Sequence, residues 1–467
     1  MSETTLSRSR HSHGTLVEQL VEAVQADIAA GRCAPGTVLP SVRAQARLRG
    51  VSPYTVAEAY QRLVSMGRIM ARPGARHRVA EAAPPPPAPA RPPPGLNAAW
   101  LLSDVFADRA VPIKAGCGWL PNHWINESGL QHALRGLARM PGARLGGYGH
   151  PYGLESLRSH IAGALRRLAL PADTSHVLLT QGATQAIDLI VRTLLRPGDA
   201  VLVEDPGYCN LLQILRLARV RVLSVPRTRD GLDLEVLERL VREHAPKALF
   251  VNTVLQNPSG ASLSLNAAFR LLQLADRHGL WVIEDDISRE LAPAGSPCLA
   301  AMAGLSQVIY VSGFSKTITP AARVGYVVAG HELLAQLALT KMAVGLTSSA
   351  LAEQAVLKVL VEGHYERHVA QVRERLAQAH ARVEAGMQQA GIACFHAPRA
   401  GLFLWGQLPI CATRSHALCN EALGQGIWLA PGSYFRPDEA PSAWFRFNVA
   451  YADEPALWRF LAEAARR

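Results

Sequence analysis

The chain has 467 residues, 49% of them apolar, and a formal net charge of +11 carried almost wholly by arginine. That length exceeds one ordinary domain and predicts two or three. No apolar run approaches the roughly 20 residues of a membrane span. The opening MSETTLSRSRHSHG lacks the apolar core of a signal peptide, and the seven cysteines are scattered without paired spacing. Both features predict a cytoplasmic protein with reduced thiols rather than a disulfide framework or a zinc site. The basic balance points weakly to a polyanionic partner.

The first element is a helix over residues 15–30, with Leu16, Leu20, Val24 and Ile28 on one stripe. GRCAPGTVLP (31–40) ends it. A short helix from Ser41 to Arg49 follows, with Ser41 as N-cap, and Gly50-Val51 makes a turn. Ser52 caps a third helix with Pro53 at its first position and Val56, Ala59, Tyr60, Leu63 and Val64 on one face. RIMARPGARHRVA then reads as two short strands around Pro73-Gly74. Residues 13–80 hold nine Arg and no Lys. Arg32, Arg43, Arg47, Arg49, Arg72, Arg76 and Arg78 are the candidates to meet phosphates or base edges of duplex DNA.

Three helices with a tight turn between the last two, then a basic hairpin, describe a winged helix-turn-helix. LPSVR, GVSPYTVAEAYQRL and the glycine-containing wing resemble the GntR family DNA-binding domain. The resemblance implies that Ser41, Arg43, Ser52, Tyr54 and Thr55 lie at or near the DNA, with Arg72 and Arg76 on the wing. Pro53 stands where many relatives carry Arg, so one contact of that family is absent.

EAAPPPPAPARPPPG (81–95) holds 8 prolines in 15 positions. Such a run cannot form a helix or a central strand and reads as a semi-rigid spacer. The linker is placed at 81–97. From residue 98 the pattern changes to apolar runs at 176–180, 200–206, 248–254, 280–286, 308–313 and 323–330, the early ones separated by amphipathic helices at 184–195, 207–218, 233–244 and 264–278. Strands apolar on both faces and joined by helices predict a mostly parallel sheet with helices on both faces. A helical stretch over about 350–390 and strands near 400–408, 427–430 and 444–449 predict a small C-terminal α+β part, about 350–467.

Val308 to Tyr326, VIYVSGFSKTITPAARVGY, places Lys316 just beyond an apolar strand and Arg323 seven residues later. Lysine is scarce here: Lys114, Lys247, Lys341 and Lys358 are the only others. Burial lowers an ammonium pKa and yields an amine nucleophile able to form a Schiff base with an aldehyde cofactor. The segment resembles the cofactor-lysine stretch of fold-type I, class I/II aminotransferases, which use pyridoxal 5'-phosphate (PLP).

In α/β sheets ligands sit at the carboxyl ends of the strands. Gly182, Ala183 and Thr184 open a helix there, and its N–H groups and dipole favour a phosphate. Tyr208 offers a ring to lie flat on an aromatic cofactor, Asn257 an amide for a phenolic oxygen, and Asp285 a carboxylate for a protonated pyridine nitrogen. Arg323 is placed to clamp the phosphate. By the same resemblance Tyr148, in YGHPYG, sends its hydroxyl to the phosphate of a neighbouring subunit, and Arg446, in WFRFNVAY, binds a substrate carboxylate. Each residue alone has a structural reading, as a turn, a core aromatic, a cap or a surface charge. Their joint order at successive strand ends is what carries the chemistry.

The whole arrangement resembles the MocR subfamily of regulators. That implies a homodimeric, DNA-binding transcription factor that senses PLP or a small amino compound. The competing reading is a working aminotransferase with a secondary DNA-binding domain. Two departures bear on the choice. Ile287 replaces a Tyr that the family places beside the phenolic oxygen. Gly313 replaces a phosphate-binding Ser, leaving Ser312 and Ser315 as substitutes.

Overall fold

The structure is a computed structural model that describes residues 15–70, 76–80, 111–139 and 147–466. Contacts divide the chain into one unit ending at Gly95 and another starting at Leu96. Among the described residues no helix is long and apolar enough to cross a membrane.

The first unit is built from α1 (Leu16–Ala29), α2 (Val42–Arg49), α3 (Pro53–Ser65) and an antiparallel pair, β1 (Ile69–Met70) with β2 (Arg78–Val79). Each helix starts where a side chain satisfies its free N–H groups. Thr15 and Glu18 form a reciprocal capping box, Ser41 Oγ accepts from the Ala44 amide, and Ser52 Oγ accepts from the Thr55 amide. Gly50 ends α2 in the left-handed region at φ 64°, which sets the turn into α3. Leu20, Val24, Val56, Ala59, Tyr60, Leu63, Ile69 and Val79 form the core. Burying each large apolar side chain contributes about 1.5–3 kcal/mol, so a unit this small depends on all of them. Pro73, Gly74 and Arg72 lie outside the described residues.

The second unit holds an eight-stranded sheet in the order β3 (Val177–Thr180), β10 (Gly325–Val328), β9 (Val308–Gly313), β8 (Trp281–Asp285), β7 (Ala248–Asn252), β4 (Ala200–Asp205), β5 (Arg221–Thr228) and β6 (Gly231–Leu232). The pairings from β9 through β5 are parallel, while β10 is antiparallel to both its neighbours. Separate apolar clusters pack against the two faces. A second sheet, β11 (Ala393–Cys394), β12 (Phe403–Gln407), β14 (Trp444–Asn448) and β13 (Ala430–Pro431), is antiparallel and carries its own core.

Two features of the large sheet escaped the periodicity reading. β5 was not expected, because Arg221, Ser224, Pro226 and Arg227 interrupt its apolar run; it lies near the sheet edge with one face wet. Helices α4 (Glu127–Ala138) and α5 (Glu155–Arg167) precede the first run and were also not expected.

Candidate ligand site and nucleic-acid interface

The predicted residues of the second unit come from the carboxyl ends of neighbouring strands. β3 leads through Gly182 into α6 (Ala183–Leu194). β4 leads into Tyr208, the residue preceding α7 (Cys209–Leu217). β7 leads to the loop bearing Asn257, β8 ends on Asp285, and β9 runs into the turn that carries Ser315 and Lys316. The loop after β7 is fixed by its own side chains: Gln256 Oε1 accepts from the Ser259 amide at 2.9 Å, and Gln256 Nε2 donates to the Pro206 carbonyl at 2.7 Å.

Gly182 adopts φ 83°, and a Cβ there would stand 2.6 Å from Arg323 Nη2. A Cβ on Gly325 would stand 2.5 Å from the Ala183 nitrogen. Glycine at both positions is therefore what lets the guanidinium and the first turn of α6 close on one spot. Arg323 is itself at φ 49°, and its Nη2 donates to the Gln181 carbonyl at 3.2 Å. A cavity of about 410 Å³ opens beside it, lined by Gln181, Thr184, Gln185, Asp188, Ile214 and Arg323. Helix N–H groups and an arginine around one opening favour a phosphate.

Tyr208, Asn252 and Asp285 line an adjoining hollow. Asn252 Nδ2 donates to the Asp285 carbonyl at 3.0 Å, and Asp285 Oδ1 accepts from the Ile287 amide at 3.2 Å. Burial raises the Asp285 carboxyl to about 6, so it is ionised at neutral pH. The Tyr208 hydroxyl accepts from Asn210 at 3.0 Å, and burial pushes its pKa to about 12.

Lys316 is half-buried and donates to the Gly118 carbonyl. Burial first, and then the neighbouring Arg446, pull its ammonium down to about 8 from 10.5. Arg446, on β14, is buried. Its Nη1 donates to Asn257 Oδ1 at 2.8 Å and its Nη2 to the Gly116 carbonyl at 2.7 Å. Its guanidinium carbon lies 4.7 Å and 4.8 Å from the Phe403 and Phe435 ring centroids. Among the described residues its hydrogen-bond partners are all neutral, and its Nε has none. A buried cation lacking a counter-ion is costly, and an incoming carboxylate would supply one.

These residues fit PLP. An anion-friendly helix terminus with Arg323 suits the phosphate, Asp285 the pyridine nitrogen, and the depressed Lys316 amine the aldehyde. Asn257 keeps its Nδ2 free to donate, because Arg446 takes its Oδ1. One consequence is a pH dependence. An amine is nucleophilic only when neutral, so capture of the aldehyde by apoprotein is expected to rise with pH, with a midpoint near 8 rather than 10.5. The check is the rate at which visible absorbance grows across a pH series; a midpoint near the ordinary lysine value would reject the burial argument.

Not every candidate joins the cluster. Tyr148 is 88% exposed and forms no hydrogen bond to the site in a single chain. Its loop is rigidly held: Lys341 Nζ donates to the Pro151 carbonyl at 2.7 Å, and Glu353 Oε2 accepts from the Leu154 amide at 2.8 Å. Ser312 is no substitute phosphate ligand, because it is buried and donates to the Asp286 carbonyl at 3.1 Å. Ser315 is half-buried, with no hydrogen bond among the described residues. The two departures from the family are neighbours in space: a Cβ on Gly313 would meet Ile287 Cδ1 at 3.3 Å.

Several residues at the site went unnoticed in the sequence. The backbone of Gly116 to Trp119 accepts from Lys316, Arg446 and Asn448. Glu204, paired with buried Arg227, accepts from the Asn252 amide at 2.9 Å. Carbonyl acceptors carry no residue-type signal, and Arg227 sits in a strand the periodicity missed.

In the first unit Arg43, Arg47, Tyr54 and Arg76 are exposed, with Tyr54 at 78%. None of these arginines has an acidic partner within 4 Å among the described residues, whereas Arg32 pairs with Asp27 and Arg62 with Glu58. Ser41, Ser52 and Thr55 cluster at the starts of α2 and α3, where the serines serve as caps. Arg49 is buried at 3% exposure, which removes it from the expected phosphate contacts. Arg78 Nη1 donates to the Gly36 carbonyl at 3.2 Å.

Comparison with known proteins matches residues 129–463 to the family Aminotransferase class I and II, and residues 16–79 to the bacterial regulatory proteins of the gntR family. The chain is 33% identical over 453 residues to YdcR, an HTH-type transcriptional regulator of Escherichia coli, covering 93% of this chain and 95% of the relative. It is 30% identical to the probable rhizopine catabolism regulatory protein MocR of Rhizobium meliloti, over 77% of this chain and 74% of that one. The crystal structure of LysN, the α-aminoadipate aminotransferase of Thermus thermophilus complexed with N-(5'-phosphopyridoxyl)-L-leucine, superposes with a TM-score of 0.71 at 28% identity, covering 76% of this chain and 92% of that chain.

Proposed function

Because the chain belongs to the MocR subfamily, GntR-type regulators fused to a class I and II aminotransferase domain, we propose that it is a cytoplasmic, PLP-dependent transcriptional regulator whose operator affinity is set by a small amino compound. The observation that carries the effector half is Arg446, a buried cation without a counter-ion among the described residues, which shares the Asn257 side chain with the candidate cofactor site. Bound PLP supplies an aldehyde that exchanges amines and a ring that withdraws electrons. The chain's own residues do the rest. Lys316 would donate or take a proton at Nζ, Asp285 would hold the ring nitrogen, and Arg323 with the first turn of α6 would hold the phosphate. Arg446 seats a carboxylate.

A homodimer fits this reading. Tyr148 stands 88% exposed, and its loop neighbours the segment 348–350, with Leu346 at 53% and Leu351 at 44% nearby in the chain. A second copy would cover that surface and receive the Tyr148 hydroxyl at its phosphate site. On the first unit, Arg43, Tyr54, Thr55 and Arg76 face the duplex, with Ser41 and Ser52 holding the helix starts that approach it.

The test joins both halves. Allosteric coupling is typically about 1–3 kcal/mol, so the responsive amine is expected to change operator affinity by roughly 5- to 150-fold in the PLP-loaded protein. Arg43→Ala is expected to weaken DNA binding and to reduce the salt slope by about 0.9 for a lost phosphate contact. The intact set Lys316, Asp285 and Arg446 also supports an aminotransferase. Rapid multiple turnover with unchanged DNA affinity would establish that reading instead.

A further inference from the structure

Away from the strand ends that face Lys316, the short turn Thr174–His176 enters β3 from its opposite end. Beside it starts α11 (His331–Gly345). Here two imidazoles and a carboxylate converge, although the two histidines stand far apart in the sequence. The His176 and His331 ring centroids are 4.0 Å apart. Asp173 Oδ1 lies 3.0 Å from His176 Nδ1. One nitrogen from each ring and a carboxylate oxygen lie within 4.8 Å of one another. The Ser175 hydroxyl sits among them, 2.5 Å from Asp173 Oδ1 and 2.6 Å from His331 Nε2.

We propose that Asp173, His176 and His331 form a divalent-metal site of the zinc class, with the Ser175 hydroxyl or a water completing the coordination. The ligand chemistry selects the ion: two imidazoles with one carboxylate suit Zn²⁺, Ni²⁺ or Co²⁺ and not the all-oxygen preference of Ca²⁺ or Mg²⁺. Ligands about 2.0–2.1 Å from one ion stand roughly 3.0–3.4 Å apart, so the Asp173 to His176 spacing is already in range and only His331 has to turn inward. The frame is preorganised. Arg158 Nη1 donates to the Thr174 carbonyl at 2.9 Å, which fixes the turn. The Ala329 amide donates to the His176 carbonyl at 3.2 Å, which ties the turn to the approach of α11. A bound ion would staple β3 to α11. The site stands whether or not the PLP reading holds, because none of its residues touches the cofactor candidates.

The experiment is a Zn²⁺ titration of the full-length, untagged protein by calorimetry, with His11 and His13 replaced so that the N-terminal pair contributes nothing. Co²⁺ serves as a spectroscopic probe through its d–d bands. One ion per chain is expected in this background, with affinity falling at least about tenfold in His176→Ala and in His331→Gln, and unchanged in His278→Ala, a distant exposed histidine. A metal-free melting temperature matching the parent shows that each variant is folded. At a fixed Co²⁺ concentration the visible d–d bands of the bound ion should appear in the parent and be lost in His331→Gln. The proposal fails if no ion binds, or if folded His176→Ala and His331→Gln proteins both keep the parental stoichiometry and affinity.

Discussion

Lys316→Ala is expected to lose covalent attachment of the cofactor completely, together with the visible absorption band. Two lysines of the chain have a depressed ammonium, Lys316 and Lys341, each drawn down to about 8 by burial. A low pKa alone therefore does not identify the nucleophile. Lys341 is 1% exposed and donates to two carbonyls, of Pro151 at 2.7 Å and Leu179 at 2.8 Å, so its amine is enclosed and held. Lys316 is half-buried, with one carbonyl partner on a segment that also receives Arg446, so it opens on the same space as the carboxylate site. Borohydride treatment of the loaded protein followed by peptide mass analysis should put the added mass on the peptide containing Lys316. In Lys316→Ala the phosphate and ring contacts remain, and charge-assisted hydrogen bonds of about 1.5–3 kcal/mol each still draw the cofactor in, but dialysis should remove it. A reduced, covalently fixed cofactor in the alanine variant would assign the nucleophile elsewhere.

What the sequence made legible follows from how each feature is encoded. The parallel strands β4, β7, β8 and β9 are buried on both faces and read as apolar runs, and strand-end residues followed from their positions. β5 was illegible because a strand near the sheet edge with one wet face need not be apolar, and its Arg227 is buried by pairing with Glu204 on the neighbouring strand and donating to the Asn252 and Ala261 carbonyls. The carbonyls of Gly116 and Gly118 were illegible because a backbone acceptor leaves no trace in residue type. Ser312 and Arg49 were misread for the opposite reason. Their residue types announce hydrogen bonding and charge, but burial turned each inward, Ser312 onto the Asp286 carbonyl and Arg49 into the winged-helix core. The cluster at His176 and His331 shows no motif spacing, since its halves meet only through the β3 and α11 geometry. Gly313 and Ile287 read as two separate losses in the sequence, whereas in the fold a side chain at 313 would pack on Ile287.

Arg446→Ala is expected to erase the proposed preference for a carboxylate-bearing effector. The guanidinium is spread over Asn257 Oδ1, the Gly116 carbonyl and two phenyl faces, all neutral. An α-carboxylate would replace neutral acceptors with an anion and would add a bidentate pair in a dry setting. Truncating one partner of such a buried pair costs about 2–5 kcal/mol, which is roughly 30- to 4000-fold in effector affinity. Loss of fold would mimic loss of binding, so the decisive measurement is a ratio. Spectral titration of an α-amino acid and of its decarboxylated amine should give a large affinity ratio in the parent and a ratio near one in Arg446→Ala, while the amine alone binds both proteins alike. Arg446→Lys should restore only part of the ratio, because an ammonium offers a point charge where the guanidinium offers a fork. The DNA readout should follow. An effector that no longer seats its carboxylate no longer bridges β14 to the loop carrying Asn257, so its roughly 5- to 150-fold effect on operator affinity should disappear even at saturating concentration. A variant that keeps the parental ratio would move the carboxylate site away from Arg446.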